Sequence, residues 1–234
     1  MARAPWRSLG GGHHPLIVHT LSFDGAAPIE RVLAIGSHAD DIEIGCGGTL
    51  LRLAAMYPEL EVVWVVLTGD GGRAEEARRS AADFAAGFGS VRVLLGGFRD
   101  GFLPYGGGVV KEFFEGLKEK IAPDVIFTHQ RADLHQDHRV ACELTWNTFR
   151  DHLVLEYEIP KYDGDLGTPN VFVHLDEPIV ARKIQLLLTH FGSQSERAWF
   201  TDDLFRALLR LRGMESASPS GLAEAFYSRK LVFA

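Results

Sequence analysis

The 234-residue chain reads as a Rossmann-like α/β protein, a mostly parallel sheet flanked by helices, on three observations. Apolar runs of strand length alternate with longer segments whose apolar residues recur every three or four positions. Clusters of His and Asp fall just past two of those runs, where ligands bind in open parallel sheets. No internal repeat, linker or low-complexity tract divides the chain, so residues 31–234 are expected to form a single domain.

The elements follow in order. Residues 1–30, opening MARAPWRSLGGGHHP, have two early Arg but no continuous apolar core and no small-residue cleavage site. They read as a tail with a leading strand rather than a secretion signal, and His13 and His14 need no role. RVLAIG (Arg31–Gly36), EVVWVVLT (Glu61–Thr68), VRVLL (91–95) and DVIFT (124–128) are rich in β-branched and aliphatic residues and read as buried strands. Between them, 46–56, 74–88 and 109–121 read as crossover helices, the last carrying Phe113, Leu117 and Ile121 at a helical spacing. After residue 150 the pattern loosens. Residues 151–161 and 169–175 read as two further strands, 179–191 and 202–211 as helices, and YSRKLVF (227–233) as a closing strand. The apolar segment AFYSRKLVF either closes the sheet or meets a second copy of the chain as a homo-oligomer.

Composition narrows the function. A net charge of −7 argues against a nucleic-acid partner, which needs clustered Lys and Arg. The longest apolar runs fall well short of the roughly 20 residues that span a bilayer, so no integral membrane association is expected. Cys46 and Cys142 are too few for a disulfide framework and fit a reducing, cytoplasmic setting.

The chemistry concentrates in two stretches, SHADDIEIGCGG (37–48) after the first strand and THQRADLHQDHR (128–139) after the fourth. Adjacent carboxylates repel and resist desolvation unless a positive charge sits beside them, so Asp40 and Asp41 ask for a cation. Imidazole and carboxylate donors suit zinc, and three protein ligands with one open position mark a catalytic site. The expected ligands are His38, Asp41 and His138, with zinc as the metal and Fe2+ or another divalent ion as other occupants. Asp40 beside them is placed to take a proton from water, His135 to face developing negative charge, and Asp137 to hold that imidazole charged and oriented. This is the layout of a metal-assisted hydrolase.

These motifs resemble the PIG-L or LmbE-like family of zinc-dependent N-deacetylases. The resemblance rests on His-x-Asp-Asp after the first strand, on IEIGCGGTL, and on the later His-x-Asp-His. It extends over most of 31–195 through the Arg73 and Glu76 pair, DGFLP at 100–104, Lys183 and Ser193-Gln194. It implies an LmbE-like fold, removal of an acetyl or other acyl group from the nitrogen of an N-acylated amino sugar (N-acetylglucosamine) or glycoconjugate, and the same roles for the six residues named. Two departures are visible: Ala39 stands where the family usually has Pro, and Ile42 where Glu often follows the Asp pair, with Glu43 one step on.

Other readings remain open at this point. Asp40 and Asp41 fit a helix cap. Gly45, Gly47 and Gly48 fit either a phosphate cradle or close packing of helix on sheet, and they lack the G-x-G-x-x-G order. Arg73 either binds substrate or pairs with Glu76, and Asp100 is a turn residue or a sugar ligand. Residues 97–110 and 160–170 are expected to line the substrate pocket. Beyond the sugar deacetylase stand a metal-dependent amidase on a non-sugar amide, an Fe(II) oxygenase built on His38-Ala39-Asp40 with a distant His, and a metal-free nucleotide-binding module.

Overall fold

Strand β1 (Arg31–Gly36) is buried on both faces from Val32 onward, as the central strand of a parallel sheet must be. The structure, a computed structural model, describes residues 29–231; the expected tail and leading strand, with His13 and His14, lie outside those residues. The described residues hold six further strands: β2 (Glu61–Thr68), β3 (Ser90–Phe98), β4 (Val125–His129), β5 (Leu153–Tyr157), β6 (Val171–His174) and β7 (Ala223–Tyr227). All seven form one sheet in the order β3-β2-β1-β4-β5-β7-β6. The first five pair in parallel, and β7 runs antiparallel to both β5 and β6.

Six α-helices connect and cover the sheet: α1 (Asp41–Met56), α2 (Gly71–Phe84), α3 (Gly107–Lys120), α4 (Gln136–Thr148), α5 (Glu177–His190) and α6 (Asp202–Glu215). Alternation along β1 divides the core. Val32 and Ala34 pack with residues of α1, α2, α5 and α6, whereas Leu33 and Ile35 pack with residues of α3 and α4. This crossover sheet is not the jelly roll in which the two-His, one-carboxylate triad of the oxygenase reading usually sits. No helix of the described residues is long and apolar enough to cross a membrane.

Most element boundaries differ by a few residues from the sequence reading, and two of the differences have a visible physical cause. Helix α1 begins at Asp41 rather than residue 46, because the glycines that weaken it as an isolated helix let it approach its neighbours. A Cβ on Gly45 would stand 2.2 Å from the Tyr157 ring, and one on Gly47 would stand 2.6 Å from Phe84. Close packing is therefore what these glycines serve. Helix α2 starts and ends earlier than expected, at Gly71 and Phe84. The last strand is AEAFY, Ala223–Tyr227, upstream of the expected 227–233. Glu224 fixes it there, accepting hydrogen bonds from Gly48 N at 2.8 Å and Thr49 N at 2.6 Å and pairing with buried Lys183 at 2.6 Å. Beyond it, Arg229 leaves the sheet to pair with Glu156 and stack on Trp146.

The topology locates a site. From β1 the chain steps outward to β2 and β3, then crosses back to β4 and β5 on the other side, so β1 and β4 flank the switch point. A crevice opens there at the carboxyl ends of the strands.

Candidate metal centre

The loop after β1 and the segment after β4 deliver their side chains to this crevice. His38 Nδ1 lies 3.1 Å from His138 Nε2 and 3.2 Å from Asp41 Oδ2, and His138 Nε2 lies 3.5 Å from that same oxygen. Donors about 2.0–2.1 Å from a tetrahedral zinc are about 3.3 Å from one another, so these three atoms have the spacing of a ligand set.

Their hydrogen bonds support the fit. Asp133 Oδ2 accepts from His138 Nδ1 at 2.9 Å, which places the ring proton on Nδ1 and leaves a lone pair on Nε2 aimed at Asp41 and His38. Burial and the neighbouring His129 push His138 down to about 4, so its ring is neutral, as a ligand must be. Burial alone would raise Asp41, yet the surrounding His138, His129 and His38 hold it well below the usual carboxylate range. A carboxylate facing an imidazole lone pair across 3.5 Å is an arrangement that a cation between them satisfies. His38 turns its other nitrogen away, with Nε2 3.1 Å from Asp100 and 3.5 Å from Asp137.

Asp40 is buried next to Asp41 and makes no helix-capping bond with its side chain, so the cap reading does not describe it. Its Oδ1 accepts from Arg73 at 2.7 Å. Burial raises Asp40 above its ordinary value, and Arg73 counters only part of that rise. Arg73 also donates to Glu76 at 3.0 Å and Ser193 at 2.9 Å, so its guanidinium bridges Asp40 to α2 and to the turn after α5. Both alternatives for this residue thus meet an occupied guanidinium: it pairs with Glu76 and orients Asp40. Asp100 is the opposite case, a loop residue whose side chain is 74% exposed while one oxygen touches His38.

His135 caps α4, with its Nδ1 accepting from the Asp137 backbone N–H at 3.3 Å. The proton of the neutral ring therefore sits on Nε2. Burial and the charge of His38 both lower its pKa. The charge of Asp137, expected to hold that ring charged and oriented, raises the His135 pKa, but burial and His38 outweigh it. The Asp137 carboxylate also accepts from Gly101 N at 2.7 Å and Leu103 N at 3.2 Å, because the second residue of α4 points its side chain back toward the loop after β3.

Three polar residues that the sequence reading passed over line the same centre. His129, the last residue of β4, is fully buried, accepts from Ser37 N at 3.0 Å and lies 3.1 Å from Asp41 Oδ2. Asp133 orients His138, and Lys161 lies 2.9 Å from Asp133. The stretch THQRADLHQDHR carries the first two in plain view, as a His at a strand's carboxyl end and an acid five residues before His138.

Residues 33–149 match the PIG-L family, whose description is GlcNAc-PI de-N-acetylase. The uncharacterized deacetylase YaiS of Escherichia coli (strain K12) is 30% identical over 176 residues, spanning 68% of this chain and 89% of that protein. Among solved structures, N,N'-diacetylchitobiose deacetylase from Pyrococcus horikoshii is similar with a TM-score of 0.65 at 21% identity, over 86% of this chain and 84% of the other. The zinc-inhibited form of teicoplanin deacetylase Orf2 is similar with a TM-score of 0.66 at 16% identity, over 85% and 97%. At these identities the two solved structures carry the fold alone.

Proposed function

The chain belongs to the PIG-L deacetylase family, and from that premise we propose that it is a zinc-dependent N-deacetylase, hydrolysing the amide that joins an acetyl or other acyl group to the nitrogen of an amino sugar or glycoconjugate. The observation that carries this reading is the convergence of His38 Nδ1, Asp41 Oδ2 and His138 Nε2 within 3.1–3.5 Å, with buried Asp40 next in sequence to one of them. Those three residues would hold the metal, with zinc first and Fe2+ or another divalent ion as substitutes. When bound, the metal supplies Lewis acidity, polarising the acyl carbonyl and making water a better nucleophile.

The chain's own residues supply the rest. Asp40 accepts the proton that the attacking water loses. Its burial, which raises its pKa, makes it a better base than an exposed carboxylate, and Arg73 fixes the direction of its oxygens. His135, neutral with its proton on Nε2, donates a hydrogen bond to the carbonyl oxygen as negative charge develops there. When the C–N bond breaks, the nitrogen takes the proton that Asp40 holds, giving an amine and a carboxylic acid, and the acid's own proton then passes to the amine so that an ammonium and a carboxylate leave. Asp137 ties the loop after β3 to the site through Gly101 and Leu103, and the exposed carboxylate of Asp100 beside His38 would accept a hydrogen bond from a sugar hydroxyl.

The test is elemental analysis of the purified protein beside His38→Ala and His138→Ala, with acetate release measured from a panel headed by N-acetylglucosamine conjugates and including non-sugar acetamides. About one zinc per chain in the wild type, lost in both variants, together with acetate from the sugars, is the expected outcome. A wild type that takes up neither zinc nor ferrous iron overturns the reading. Turnover confined to the non-sugar amides would move it to a general amidase.

A further inference from the structure

The loop between β5 and β6 (residues 158–170) is fastened to the segment after β4 through two side chains. Lys161 Nζ lies 2.9 Å from Asp133 Oδ2 and 2.5 Å from Asp165 Oδ2. Asp165 in turn accepts from Leu134 N at 2.7 Å through its carboxylate and from Gln130 Nε2 at 3.1 Å through its backbone carbonyl. None of the three charged side chains is more than 10% exposed. The Asp133 oxygen that takes Lys161 is the same one that takes His138 Nδ1, also at 2.9 Å.

We propose that Lys161 is a positioning residue joining the substrate loop to the metal centre: it closes residues 158–170 against Asp133 and, by sharing the oxygen that orients His138, moderates how tightly the centre holds its cation. This rests on His138 being a metal ligand. The reasoning is electrostatic. Two buried carboxylates share one ammonium, so removing its charge leaves two anions facing each other. Arg212 holds Glu158 and Gly167 at the two ends of the loop, so the stretch between them, residues 159–166, is the softer partner and opens. Asp133 then serves His138 alone, and the net charge around the donor set falls by one, which favours a divalent cation. Loop closure and metal affinity therefore move in opposite directions. A residue needed only for structural integrity would lower both.

The experiment uses the full chain, stripped of metal and titrated with zinc against a chromophoric chelator, while hydrogen exchange follows the amides of residues 158–170. In Lys161→Met the expected result is zinc binding about tenfold tighter with loop amides exchanging at least about tenfold faster, and Lys161→Arg should match the wild type in both. Asp165→Asn keeps Lys161 on Asp133 alone, so the loop should stay closed at Lys161, loosen only at the Leu134 contact, and bind zinc a few-fold more weakly, the opposite sign, so the inference stays testable if the Met variant does not fold. Zinc affinity unchanged or weaker in Lys161→Met overturns the inference, as does an unaltered loop. A wild type that binds no zinc overturns the metal reading itself, and the exchange arm then still decides whether Lys161 closes the loop.

Discussion

Asp133 and His138, both buried, face each other across 2.9 Å from Oδ2 to Nδ1, and this single contact fixes which nitrogen of His138 is free to bind a cation. A second bond, from His135 N to Asp133 Oδ1 at 2.8 Å, anchors the same carboxylate to the start of α4. The orientation of a proposed ligand thus depends on a residue that touches no metal.

Replacing Asp133 by Asn removes a strong acceptor and lets His138 rotate or change tautomer. Zinc affinity is expected to fall by about 10- to 100-fold, the usual cost of losing such an outer partner. Chelator competition on the folded variant checks this, with circular dichroism as the folding control. Unchanged affinity would remove Asp133 from the account.

Asp40→Asn retains the shape of the side chain and removes its basicity. Turnover is expected to fall by about 10²- to 10⁴-fold with zinc content close to one per chain, because Asp40 bonds to Arg73 rather than joining the donor triad. Retained turnover, or lost zinc, would contradict the assignment.

Glu43 is fully buried and neither of its oxygens has a well-formed hydrogen bond. Burial pushes its pKa well up, and the neighbouring Ser80 hydroxyl offsets only part of that. The sign follows directly. An acid whose folded pKa exceeds its unfolded value is neutral in the fold while ionised in the unfolded chain, so stability declines as pH rises from the unfolded pKa toward the folded one. Glu43→Gln abolishes that slope. The apoprotein variant should be more stable than wild type at pH 7 and indistinguishable near pH 4. Urea unfolding at the two pH values reads the difference, and a variant less stable at pH 7 would show that the charged form is the one the fold requires.

Gly45→Ala puts a methyl group where the Tyr157 ring already stands, 2.2 Å from the new Cβ. Tyr157 is fully buried and its hydroxyl donates to Ile35 O at 2.6 Å, so it has little room to retreat. A loss of about 1–3 kcal/mol is expected despite the better helix propensity of Ala, measured by urea unfolding. A gain in stability would mean that α1 and β5 are not in contact.

The strands were legible because a central parallel strand is a continuous apolar run, as EVVWVVLT and RVLAIG are. The start of α1 was not, since Gly45, Gly47 and Gly48 argue against a helix until Tyr157 and Phe84 are known to lie against it. The last strand was misplaced for a related reason: AEAFY has two Ala and a Glu, and it is a strand because Glu224 is anchored by Lys183 and the backbone of α1. In the site, residue types at strand ends singled out His38, Asp40, Asp41, His135 and His138. The hydrogen bonds of the Asp137 carboxylate are not legible in the same way, because the amides of Gly101 and Leu103 that it holds are more than thirty residues away.

The sequence by itself determined the alternation of strand and helix, the two polar clusters and the donor types within them, because periodicity and residue chemistry are local properties of the chain. Tertiary structure decided which carboxylate serves which imidazole, that His129, Asp133 and Lys161 join the centre, and that Arg73 is occupied by Asp40. Those assignments depend on buried groups finding partners from distant segments, and a buried charge takes whichever counterpart the packed fold brings within hydrogen-bond distance.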